Sequence, residues 1–185
     1  MIPILLFTLA GCEGKDSGPK ISSGAGKQSG WRAHCERELR FLIHYPPEME
    51  LRVKSPEVTA QGKFNLLEWR VPRAEWFVVL HVHEPSPATG THSLSKWLED
   101  WGGNLEETTL DGNVPAVSRT WLFEGIYEKS IFFPGASSHR VVEIRLVVPK
   151  IVDWMGSTEK IEPQYRSQEE MFDRMVKSID VGECP

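Results

Sequence analysis

The chain has 185 residues, 40% hydrophobic and 25% charged, with a net charge of −5 and a pI near 5.7. That is enough material for one domain with a sizeable core. It lacks the basic footprint that nucleic-acid binding needs, and no apolar run reaches the roughly 20 residues of a membrane-spanning helix.

Met1 to Gly11 is an uncharged, mostly apolar run that stops at Cys12. It has the length of a signal-peptide core, with small residues where a peptidase needs them. Leu9-Ala10-Gly11-Cys12 resembles the lipobox of bacterial lipoproteins. The resemblance implies a leader over residues 1–11, cleavage before Cys12, and acylation (palmitate or a similar chain) on the Cys12 thiol. No Lys or Arg precedes the apolar run, so either the export signal is atypical or the start lies upstream. Glu13 after the cysteine resembles outer-membrane sorting, which places the protein in the cell envelope, facing the periplasm.

Residues 12–33 read as the acylated cysteine and a flexible tether, rich in Gly, Ser and Lys, with Ile21 its one large aliphatic side chain before Trp31. As a coil it would hold a domain roughly 20–25 Å from its anchor. Its GAGKQS invites comparison with a phosphate-binding loop. Ile21 stands where the first glycine belongs and Gln28 where Ser or Thr belongs, so the comparison fails.

Residues 34–185 read as a single domain. RFLIHY (40–45) alternates and ends at Pro46-Pro47, and MELRVK (49–54) puts Met49, Leu51 and Val53 on one face. FNLLEWRV (64–71) and EWFVVLHVH (75–83) form a predicted hairpin. If its turn has four residues, Trp69 faces Val78 and the apolar sides agree; a three-residue turn would swap the pairing. SLSKWLEDWGG (93–103) shifts to helical spacing, with Leu94, Trp97, Leu98 and Trp101 on one stripe and Gly102-Gly103 ending it. PAVSRTWLF (115–123), EKSIFF (128–133) and RVVEIRLVV (140–148) are further strands; in the last, Val142, Ile144, Leu146 and Val148 share a face. SQEEMFDRMVKSI (167–179) is a predicted helix with Ser167 and Glu170 as a capping box and Phe172, Met175, Val176 and Ile179 buried.

Four strands, a helix, three strands and a helix imply an α+β domain: an antiparallel sheet of about seven strands covered by helices. With Cys12 assigned to lipid, Cys35 and Cys184 remain, and in an oxidising compartment this pair is expected to form a disulfide.

The order, with local signatures, resembles the PsbP-like family, whose members include DcrB-like lipoproteins. FLIHYP (41–46) is similar to its opening strand, Ser93 to Trp101 to its first helix, LDGNVPAVSR (110–119) to a strand entry, and Phe172 to Ile179 to its closing helix. Glu48-Met49 departs from the family's usual Gly-aromatic pair. The resemblance implies an α/β/α sandwich and, for most such domains, no enzymatic activity; it does not fix a function.

The sharpest candidate chemistry is His81-Val82-His83, whose imidazoles share a strand face. With Glu68 they would make a two-histidine, one-carboxylate zinc site, with Glu84 or His92 as further ligands; the alternative is a polar sheet face. No other cofactor is implied. Ser137-Ser138-His139 reads as a turn, and Glu99-Asp100 and Glu106-Glu107 as a solvated helix end and loop. Trp97 and Trp101 belong to the core. Trp31, Trp154, Met155 and Tyr165 sit in unpatterned segments; they are expected either to contact a protein partner or to pack on the sheet edge. The leading expectation is a lipid-anchored, non-enzymatic protein-binding or accessory module. A metal-binding protein or metal-dependent enzyme is the alternative from another class, and ligand capture between sheet and helix is a third.

Overall fold

The computed structural model describes residues 30–55, 57–59, 62–84, 93–135, 140–151, 162–182 and 184. In chain order the strands are β1 (Arg32–Glu36), β2 (Phe41–Tyr45), β3 (Glu50–Val53), β4 (Glu57–Thr59), β5 (Gly62–Arg70) and β6 (Phe77–His83). Helix α1 (Leu94–Leu98) runs into a 3-10 turn, Glu99–Trp101, and leads to β7 (Asn104–Leu110), β8 (Val114–Phe123), β9 (Ile126–Pro134) and β10 (Val141–Val148). Helix α2 (Arg166–Val176) and the short β11 (Asp180–Val181) close the described chain.

The strands pair as one large antiparallel sheet, ordered β3-β5-β6-β10-β9-β8-β7 with β4 also on β5, and a small sheet, β1-β2-β11. The expected α+β class therefore holds. Trp69 stands opposite Val78, as the four-residue turn requires. This register puts Trp69, Val78, Leu80 and Val82 on one face, which Val142, Ile144 and Leu146 of β10 continue. Against it pack Phe41 and Ile43 of β2, Phe172 and Met175 of α2, and Ile179 just beyond, all essentially inaccessible. Phe41 meets Phe133 edge to face at 5.7 Å. The disulfide Cys35–Cys184 joins β1 to the chain just past β11, across β2.

The opposite face of the large sheet is covered by α1 and its 3-10 turn, through a second cluster of Leu98, Val117 and Phe132 flanked by Leu94, Trp97 and Trp101. Ser93 caps α1 by accepting from the Lys96 amide at 3.3 Å. Gly103 then passes so close to β8 that a Cβ would lie 2.7 Å from the Thr120 carbonyl, at φ +88, a site only glycine fits.

Several boundaries differ from the sequence reading. Arg32 and Ala33, read from the sequence as the end of the tether, lie in β1. Glu106 and Glu107 lie on β7, which is an edge strand among the described residues, where charges discourage further strand pairing. The capping box of Ser167 and Glu170 is replaced: a 3-10 turn, Glu162–Gln164, runs into α2, the N-cap is Tyr165, and Ser167 lies inside the helix, donating to Gln168. Among the described residues no helix is long and apolar enough to cross a membrane.

Candidate functional site

Strand alternation carries His81 and His83 to the face beneath α1. Pairing of β6 with β10 sets Glu143 directly opposite His81, and pairing of β10 with β9 sets Arg145 opposite Ser130. These five residues form one hydrogen-bonded cluster around the Glu143 carboxylate, which is fully buried. Its Oε2 accepts from His81 Nδ1 at 3.2 Å, His83 Nε2 at 2.8 Å and Arg145 Nη2 at 3.0 Å. Its Oε1 accepts from Ser130 Oγ at 2.8 Å and Arg145 Nε at 2.7 Å. An ionised carboxylate can only accept, so His81 Nδ1 and His83 Nε2 carry the protons that face it.

Burial pushes the Glu143 carboxyl up, but the hydrogen bonds from His81 and His83 and the Arg145 charge outweigh it and hold the group well below the usual carboxylate range. Arg145 also reaches Glu128 at 3.4 Å. Over the cluster lie Trp97 and Trp101, whose rings stand 5.5 and 5.1 Å from that of His83, with Phe132 at 6.1 Å. Arg119, one strand further along the same row, donates to the Trp101 carbonyl at 2.9 Å and the Gly102 carbonyl at 2.7 Å, fastening the end of the 3-10 turn. Burial, and then the Arg145 charge, lower the affinity of Arg119 for its proton.

Glu68 shares this sheet face but is not the third member of the cluster. It stands opposite Val79, not His81, and its carboxylate accepts from Arg70 Nε at 3.0 Å with Lys54 Nζ at 3.4 Å. Burial raises its pKa, but the Arg70 hydrogen bond and the Arg70 and Lys54 charges bring it below the ordinary value. Of the further ligands considered, Glu84 is exposed and faces Arg140 at 3.6 Å. His92 lies outside the described residues.

One ligand atom from each of His81, His83 and Glu143 falls within a span of 4.8 Å, and two imidazoles with a carboxylate are a zinc-type donor set. The charge balance works against it. A divalent cation would have to displace Arg145 from a carboxylate that already takes five hydrogen bonds, in an interior where like charges repel strongly. Calorimetric titration of the wild type with zinc is expected to give no more heat than His81→Ala/His83→Ala; a stoichiometric wild-type isotherm would show that the ion does replace the guanidinium.

The residues expected at a partner surface separate. Trp154 and Met155 lie outside the described residues, as do Cys12 and Ser137 to His139. Tyr165 is half-buried and stacks on Tyr127 with centroids 3.7 Å apart, and Trp31 is half-buried with the Arg174 guanidinium 4.9 Å from its ring centre. Both pack against the main core. A groove of about 710 Å³ runs between α2 and β7–β9, past Thr108, Ser118 and Lys129. Lys129 there is held by Glu169 at 2.9 Å and Asp173 at 2.8 Å.

No protein-family model and no curated protein matches the chain. Among solved structures, the solution structure of cyanobacterial PsbP (CyanoP) from Synechocystis sp. PCC 6803 aligns over 89% of this chain and 99% of its own, with TM-score 0.52 at 10% identity. The fold is PsbP-like. The Ran-binding protein Mog1p of Saccharomyces cerevisiae aligns over 83% of this chain and 96% of its own, with TM-score 0.47 at 11% identity.

Proposed function

We propose that the chain is a lipid-anchored accessory module of a bacterial cell envelope, which acts by what it touches rather than by what it converts. The observation that carries this reading is the saturation of Glu143. The cluster that most resembles reacting machinery lies beneath Trp97 and Trp101, and its carboxylate has every lone-pair direction engaged, so Glu143 has none left for a substrate. It organises the sheet face instead. The PsbP-like fold supports an accessory or binding role at that coarse level. The Cys35–Cys184 disulfide suits an exported protein, because such bonds persist in oxidising compartments. Leu9 to Cys12 supplies the anchor in this reading.

Cys12→Ser is expected to move the protein from the detergent phase to the aqueous phase on detergent partitioning and to abolish labelling by a fatty-acid analogue. Unchanged partitioning and labelling would remove the anchor from the proposal.

A further inference from the structure

We draw no further inference here: the strongest candidate, the surface patch that the exposed apolar side chains of Trp121, Leu122, Phe123 and Ile126 form on the β8–β9 hairpin, carries none because nothing in the structure shows what covers it.

Discussion

Glu143→Ala is expected to destabilise the protein by about 3–5 kcal/mol, the range for removing one partner of a buried ion pair. The loss is large because one substitution takes the shared acceptor from Arg145, His81, His83 and Ser130 together, and the donors that remain are all buried or half-buried. Glu143→Gln keeps the shape but not the charge, so it should fall between the wild type and Glu143→Ala. Equilibrium urea unfolding measures all three. A Glu143→Ala midpoint within error of the wild type would mean that the cluster does not hold α1 and the sheet together.

The same group fixes a pH dependence. The folded-state pKa of Glu143 is depressed relative to its unfolded value of about 4.3, so its contribution is present above that value. It is lost as pH falls through the folded pKa. The wild type should therefore lose stability more steeply than Glu143→Gln below about pH 4.3, and the two curves should converge in strong acid. Parallel curves across that window would contradict the assignment of a charged carboxylate.

Half of this cluster was legible in the sequence. His81-x-His83 within an alternating strand puts both rings on one face, and the apolar alternation of RVVEIRLVV leaves Glu143 and Arg145 on the polar side of their own strand. What no local pattern supplies is that β10 lies beside β6, because that adjacency comes from sheet order and not from chain neighbourhood. Glu68 was the natural choice as the carboxylate nearest in sequence on a paired strand; the observed register places it opposite Val79. The missed elements have physical reasons too. β4 and β11 are too short to show a period, and β7 is polar along most of its length because it forms an edge. The β8–β9 hairpin did carry a signal, since Trp121-Leu122-Phe123 breaks the alternation that a one-sided strand would keep.

Loss of the Cys35–Cys184 disulfide is the other large expected effect. The bond closes a loop of sequence separation 149, and on the chain-entropy model such a crosslink contributes about 5 kcal/mol by restricting the unfolded chain. For a domain of this size that corresponds to a fall in Tm of about 10 °C or more. The position makes the local consequence specific. β11 has only Asp180 and Val181, paired with Leu42 and Phe41, and Cys35 stands opposite Leu42 from the other side of β2. The disulfide thus ties both neighbours of β2 to each other, next to a β11 ladder of two residues that the Gly182 amide extends by donating to the Arg40 carbonyl at 2.7 Å. Reduction, or Cys35→Ser/Cys184→Ser, should first raise amide exchange in β1 and β11 while β6 and β10 stay protected, because frayed edges open by local rather than global unfolding. Ser178 limits how far the fraying spreads: its hydroxyl accepts from the His44 amide at 2.9 Å and donates to the Met175 carbonyl at 2.6 Å, pinning the end of α2 to β2. Melting of the reduced and oxidised forms at the same temperature, with identical exchange in β1 and β11, would show that the small sheet stands without its crosslink.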